Sequence, residues 1–390
     1  MSNITTNNQD IIYIDSDDKL LEFCEKIRTA QVLILDTEFI REKTYYAKLC
    51  LIQVCANELI ACIDPLTIND LQPFMDIIFS PDKIKVLHAA RQDYEIFHDI
   101  NGQLPCPVFD TQLVASLLGY GDQIGYAGLV KKVLDVDIDK TQARTDWSAR
   151  PLTAAQITYA ADDVYYLNKI YPVLVKQLQE QQREDWLTDD FESLCQTSLY
   201  IVHPEDAWKK LKGANRLKPR QLAAAQELAK WREITAIKVN KPRRWILSDD
   251  ILIIISQFLP KNKQELEKIR GLNKKDLDNK AGDILAAVNN ALQMDESLLP
   301  KNKKAQRLSP EQEIVSDLLM TELRLLAEKN QISVTNLASR KDINKLTTGN
   351  NDIPLLKGWR HRIAGQHILD LLNGKTCLQI TDREVKISDI

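Results

Sequence analysis

Glycine is scarce in this chain: 12 of 390 residues, less than half the usual share of about 7 %. Few positions therefore interrupt a helix, and a helix-rich protein is expected. Cysteine is sparse and odd in number. The seven (Cys24, Cys50, Cys55, Cys62, Cys106, Cys195, Cys377) include no C-x-x-C pair, which argues against both a disulfide framework and a zinc site. No run approaches ~18 consecutive apolar residues, and the polar tail over residues 1–10, MSNITTNNQD, has neither the basic flank nor the apolar run of a signal peptide. A cytoplasmic protein with no membrane partner is the expectation. The pattern G-x-x-x-x-G-K-S/T is absent, which removes the P-loop nucleotide hydrolases. What is present is ordinary globular composition, 44 % hydrophobic and 27 % charged, which excludes a chain disordered throughout. At roughly 100 to 200 residues per domain, the length calls for two or three domains.

The net charge of −4 conceals a division. Residues 1–200 carry 31 acidic and 17 basic residues, whereas residues 201–390 carry 24 acidic and 34 basic. An acidic half joined to a basic half suits a protein that brings a polyanion to a site needing carboxylates of its own. Two solvated surfaces without that role would look the same on charge alone.

Apolar runs in the first half alternate with amphipathic segments, the pattern of an α/β domain. Strands are predicted at Ile11–Ile14, Val32–Ile40, Leu49–Ala56, Leu59–Asp64 and Ile84–His88. The short gap at Asn57 and Glu58 predicts a hairpin and hence a mixed sheet. Helices are predicted over 16–29, 68–79, 91–99, 111–118 and 153–180. Strand signals nearly vanish after His203 and Pro204. A helical block fills 207–295, a Lys-rich stretch at 299–310 reads as a linker, and a second block occupies 311–380. The two blocks share an order of long helix, loop, helix after Ser248 or Ala338, turn at Gly271 or Gly358, and closing helix, so they read as a repeat.

Asp36 and Glu38, in LILDTEFI, lie two apart at the end of a strand, where a period of two puts both on one face. Two neighbouring carboxylates repel, so a cation is expected beside them; a strand end that simply reaches solvent is the bland alternative. Asp93, in HAARQDYEIF, falls just inside a helix, where the dipole alone would also favour it. Tyr159 and Asp163, in YAADDVYYL, lie four apart on one helical face, with Asp162 as a competitor for the role. Oxygen donors without clustered His or Cys favour Mg²⁺ or Mn²⁺ over zinc, and four carboxylates match a pair of divalent ions. Residue pattern alone thus reaches a metal-dependent phosphoryl-transfer site.

The order and wording of these segments resemble the three exonuclease motifs of the DEDD superfamily, in its tyrosine subclass, and in particular the ribonuclease D family. LDTEF resembles the first motif, HAARQDYEIF the second and YAADDVYYL the third, and the third selects Asp163 over Asp162. TYYAKLCLIQV, VFDTQLVASLLG and KTQARTDWSARPL between them are similar too. Residues 207–295 resemble the HRDC domain, a helical bundle associated with nucleic acids, and 311–380 resemble a second, degenerate copy. The resemblance implies an RNase H-like catalytic domain over 11–200 with a mixed sheet, followed by two all-α HRDC-like bundles. It further implies 3′–5′ hydrolysis of RNA, in transfer-RNA 3′ processing, with release of nucleoside 5′-monophosphates. By the same likeness Asp36, Glu38, Asp93 and Asp163 hold two divalent ions, Mg²⁺ or Mn²⁺, and Tyr159 orients or deprotonates the attacking water.

Outside the motifs, Lys209, Lys210, Lys212, Arg216, Lys218 and Arg220 crowd the start of the first bundle; Lys238, Lys241, Arg243 and Arg244 crowd its central loop. They are the expected RNA-phosphate contacts. Trp208, Trp231 and Trp245 are read mainly as core, with base stacking as the alternative. His88 is expected to be a packed or hydrogen-bonded residue. A monomer is expected, since the chain already contains its own binding modules. The rival readings are a repair-type DNA 3′–5′ exonuclease and an inactive nucleic-acid-binding adaptor.

Overall fold

The structure, a computed structural model, describes residues 5–6, 9–139, 141–272, 274–301 and 307–389; parts of the expected polar tail (1–10) and linker (299–310) lie outside them. The chain forms two compact units. One comprises 1–39, 49–199 and 307–390; the other comprises 40–48 and 200–306.

In the first unit the described residues build a seven-stranded sheet in the order β1-β2-β5-β4-β3-β6-β7, with β1 at Thr5–Thr6, β2 at Gln9–Ile14, β3 at Val32–Ile40, β4 at Lys48–Ala56, β5 at Leu59–Ile63, β6 at Ile84–Leu87 and β7 at Val108–Asp110. The sheet is mixed, as the hairpin required: β4 and β5 pair antiparallel, while β2–β5, β3–β6 and β6–β7 pair parallel. Asn57 and Glu58 both adopt positive φ, 48° and 64°, the conformation of a two-residue turn whose twist matches its strands. β3 runs through the sheet interior with Leu33, Ile34 and Leu35 buried, which is why it reads as a continuous apolar run and not as an alternation.

Helix α1 spans Asp17–Ile27, α2 Gln72–Ile78, α3 Arg91–Asn101, α4 Thr111–Leu117, α5 Tyr126–Leu134 and α6 Ala154–Glu180. The 27-residue α6 begins with a capping box between Thr153 and Gln156, so its register, and with it the direction of Tyr159 and Asp163, is pinned at the first turn. Arg150, just before it, clasps the fully buried Asp64 with two nitrogens at 2.5 and 2.7 Å, and Tyr13 donates to the same carboxylate at 2.6 Å. Sequence reading passed over β1, which with the start of β2 falls in the stretch expected to be a polar tail, β7, whose three residues are too few to show a period, and α5.

Two departures from expectation follow from contacts between distant residues. Cys106 and Cys195 form a disulfide across 89 positions, so one bridge does exist, and no local spacing could have announced it. The chain also ends in a hairpin, β8 at Thr376–Thr381 with β9 at Glu384–Asp389, where strand signals were expected to have ceased.

The last block of the first unit begins with a helix at Pro310–Lys329 and shares one apolar core with α4, α5 and α6. Trp359 stacks on Trp186 at 4.6 Å, Arg360 makes a forked ion pair with Asp190, and Arg183 reaches the carbonyls of Leu117 and Asn330. In the second unit, a helix at Pro219–Lys238 packs with helices at Asp249–Phe258 and Lys274–Gln293 around Leu222, Leu228, Leu252, Ile255 and Ile284. The two blocks do share a plan. Each opens with a 20-residue helix that has Pro at its start, and a Gln (Gln221 or Gln312) accepts from the preceding backbone N–H. Each then has a four-residue helix, at Arg243–Ile246 or Val334–Leu337, and a further helix capped by Ser248 or Ser339.

Because Trp359 is buried and fills the core that the last block shares with α6, Trp359→Ala should cost about 3–5 kcal/mol. In thermal unfolding this appears as a Tm lowered by about 10 °C. A Tm within about a degree of the native protein would mean that the block merely leans on the exonuclease fold.

Candidate active site

Two elements carry the central carboxylates. Asp36 and Glu38 leave β3 on one side, and α6 presents Asp163 to them; the three offer oxygens that all lie within 4.8 Å of one another. Asp163, and not Asp162, belongs to this group. Tyr159, one turn earlier on α6, joins them in the wall of an open cleft of about 600 Å³, which the 125–128 segment and Asp139 also line. That volume lies within the ~300–1,000 Å³ range of ligand sites.

Asp93 stands outside the group of three. It is buried near the start of α3, and its Oδ1 accepts from the Thr37 hydroxyl at 2.5 Å. Its backbone position is set by Asp110, whose carboxylate accepts from the N–H groups of Ala89 and Ala90 at 3.2 and 2.9 Å and also caps α4. Ala89 adopts φ 60°, an uncommon conformation for a non-glycine residue, and the Asp110 bond holds it there. Neither Thr37 nor Asp110 was singled out from sequence. Their signal was present only as the residue between Asp36 and Glu38 and as the Asp of VFDTQ.

Tyr126 was missed as well. Its hydroxyl donates to the carbonyls of Asp162 and Asp163, at 3.0 and 2.5 Å, and its ring meets the edge of His88. His88 is held as expected, bridging the Thr111 hydroxyl and the Ile124 carbonyl, both at 3.0 Å. These contacts brace the cleft wall against the turn of α6 that carries Asp163.

The electrostatics are those of crowded like charges. Burial and then the neighbouring carboxylates lift Asp36 and Asp163 well above the usual range; the same two causes, with Asp36 foremost among the neighbours, lift Glu38 to about 9. Burial lifts Asp93 to about 6 against the lowering hydrogen bond from Thr37. Among the described residues no lysine or arginine pairs with any of the four. Burial, followed by Asp163, also raises the Tyr159 phenol, which therefore keeps its proton at neutral pH. An all-oxygen donor set without a countercharge fits a hard divalent cation.

The expected basic contacts belong to the second unit. Lys209, Lys210, Lys212, Arg216, Lys218, Lys241 and Arg244 are exposed there, Lys209 pairing with Asp206 and Arg244 with Asp249. Arg243 is half-buried beside Glu233. Arg220 departs from its expected role: its guanidinium binds the carbonyls of Ala291, Leu292 and Met294 and closes the end of the Lys274–Gln293 helix. That placement leaves it a structural part.

In the native metal-free protein Glu38 holds its proton up to about pH 9, whereas in the unfolded chain it loses it near ~4.5. Between those values the native state binds more protons, so stability falls as pH rises. The Tm of chelator-treated protein should therefore drop from about pH 5 to about pH 9, and Glu38→Gln should flatten that slope. Addition of Mg²⁺ or Mn²⁺ should raise the Tm more at the alkaline end. A metal-free Tm that rises with pH over this interval would contradict the account.

Residues 11–179 match a 3′–5′ exonuclease family model, and residues 221–288 match the HRDC domain. The chain is 38 % identical to ribonuclease D of Bartonella henselae over 93 % of its own length and 90 % of that protein. It is 37 % identical to ribonuclease D of a Jannaschia species over 97 % and 99 %. The crystal structure of Escherichia coli RNase D, described as an exoribonuclease involved in structured RNA processing, superposes with a TM-score of 0.83 at 33 % identity, covering 94 % of this chain and 99 % of that one. With the mixed sheet, the crowded carboxylates and matches over nearly its whole length, the chain belongs to the ribonuclease D family of 3′–5′ exoribonucleases.

Proposed function

We propose that this protein trims RNA from the 3′ end by two-metal-ion hydrolysis, releasing nucleoside 5′-monophosphates, and that its substrates are transfer-RNA precursors with 3′ extensions. The observation that carries the reading is the convergence of Asp36, Glu38 and Asp163 without a cationic partner, beside the Tyr159 hydroxyl. Asp36, Glu38 and Asp163 would hold one Mg²⁺ or Mn²⁺, and Asp36 with Asp93 a second. Bound there, the pair supplies a more acidic water and charge compensation at the leaving oxygen.

The chain's own residues do the rest. The cleft receives the 3′-terminal nucleotide and excludes part of its water. Water oxygen bonds to the terminal phosphorus and gives up a proton to solvent, the P–O3′ bond breaks, and the leaving O3′ takes up a proton, so the released nucleotide carries a 5′ phosphate and the shortened strand a 3′ hydroxyl. Tyr159, whose phenol burial and then Asp163 raise in the metal-free site, orients or deprotonates the attacking water. Thr37 keeps Asp93 aimed, and Tyr126 keeps α6 in place. The exposed cations of the basic unit, Arg220 excepted, contact RNA phosphates.

Support for structured RNA as substrate comes from the E. coli relative, and a chain with its own basic module suits a monomer acting in the cytoplasm. No described helix is long and apolar enough to cross a membrane.

With Mg²⁺ or Mn²⁺, matched 5′-labelled RNA and DNA strands should show progressive 3′ shortening of the RNA. Asp36→Ala should abolish it while the Tm holds or rises, since one repelling carboxylate is gone. Preference for DNA would move the assignment to repair-type exonucleases, and tight RNA binding without cleavage would make the chain an adaptor. Tyr159→Phe keeps the ring against Trp147 and removes only the hydroxyl; kcat should fall on the order of a hundredfold with little change in KM. An unchanged kcat would make Tyr159 a packing residue.

A further inference from the structure

The tryptophans of the basic unit have unlike surroundings. Trp208 and Trp231 pack against the bundle's apolar core, whereas Trp245 leaves 55 % of its surface in water. Trp245 belongs to KVNKPRRW, where Lys238, Lys241, Arg243 and Arg244 supply four cations and no acid. Arg243 and Arg244 have acidic neighbours, at 3.5 Å in Glu233 and 3.6 Å in Asp249, yet the Arg244 side chain remains 81 % exposed. A large exposed ring among cations has no packing rationale and has the make-up of a platform on which an unpaired base stacks beside its phosphates.

A second strip of the same unit lies against this loop. β3 runs past Glu38 and Phe39 directly into the segment 40–48, which folds with the bundle. Asn240, at φ 47°, turns its Oδ1 to accept from the N–H groups of Tyr45 and Tyr46 at 3.0 and 3.1 Å. The Tyr45 hydroxyl donates to Glu233, which is buried and also faces Arg243. The segment adds Arg41, Lys43 and Lys48 against one acid, Glu42, and the half-buried ring of Tyr46. A simple brace would account for Tyr45, Asn240 and Glu233. It would not account for the exposed Trp245 ring or for the exposed Lys43 and Lys241.

We propose that segment 40–48 and the Lys238–Trp245 stretch form one composite track for single-stranded RNA, in which an unpaired base stacks on Trp245 while Lys43 and Lys241 hold adjoining phosphates. The proposal rests on the exoribonuclease reading above and adds which surface of the second unit holds the strand. Charge complementarity selects a polyanion over a protein partner, and stacking selects an unpaired strand, because a base within a duplex offers no free face.

The test uses the full-length protein with Mg²⁺ or Mn²⁺ and unstructured RNA strands of about four and about twenty nucleotides. In Trp245→Ala the ratio of KM for the long strand to KM for the short one should rise on the order of tenfold, and Trp245→Phe should restore most of it. Lys43→Ala should lower the slope of log affinity against log salt for the long strand by about one, read with the Asp36→Ala protein by fluorescence anisotropy. An unchanged KM ratio in Trp245→Ala, no recovery with Phe, or an unchanged salt slope in Lys43→Ala overturns the track. So does equal binding of a blunt duplex of the same length. If the native protein cleaves neither strand, the exoribonuclease reading fails, and the anisotropy measurements with Trp245→Ala and Lys43→Ala still decide whether the track exists.

Discussion

Mutual repulsion among carboxylates is the constraint around which the first unit is organised. Asp36, Glu38 and Asp163 would separate if they were free to, and each is lifted out of its ordinary ionisation range by burial beside the others. They stay together because the elements that carry them cannot move apart. β3 is packed inside the sheet, and α6 is capped at its first turn and braced by the Tyr126 hydroxyl. The free energy that holds them comes from apolar burial elsewhere, a large non-directional term set against a local electrostatic cost. A site prepared in this way is ready for divalent cations without rearrangement, which is how preorganised charge contributes to catalysis.

The surrounding hydrogen bonds divide the labour. Asp110 settles the turn from β6 into α3, and Thr37 then takes one oxygen of Asp93, so that residue is aimed by two neighbours that carry no part of the chemistry. Arg150 and Tyr13 neutralise Asp64 in the same domain. The contrast is instructive: a carboxylate paired with arginine is structural, and the carboxylates left without a cation are the ones suited to hold metal.

The last helical block shows the limits of reading a domain from its sequence likeness. It has the helix order of the bundle at 219–293, yet its Trp359 and Arg360 meet Trp186 and Asp190 of the exonuclease core, and its Asn330 carbonyl accepts from Arg183. The basic unit, by contrast, takes in nine residues from the catalytic half of the chain, at 40–48. Chain order and spatial membership therefore differ at both places.

Much of the catalytic site was legible in the sequence, because its spacings are those of local structure. A strand's period of two puts Asp36 and Glu38 together, and a helix turn of about four puts Tyr159 with Asp163. Continuous apolar runs located the inner strands, and Asn57-Glu58 announced the hairpin. Tertiary structure alone decided what depends on residues far apart in the chain. Thr37 meets Asp93 across 56 positions, Cys106 meets Cys195 across 89, and Tyr45 meets Glu233 across 188. Exposure was decided there too: Arg220 is spent on a helix end while Trp245 faces water, although both stand in similar basic stretches. The reason is physical. Backbone geometry repeats with a short period and leaves its mark on neighbouring residues, whereas packing joins whatever the fold brings together and leaves no periodic trace.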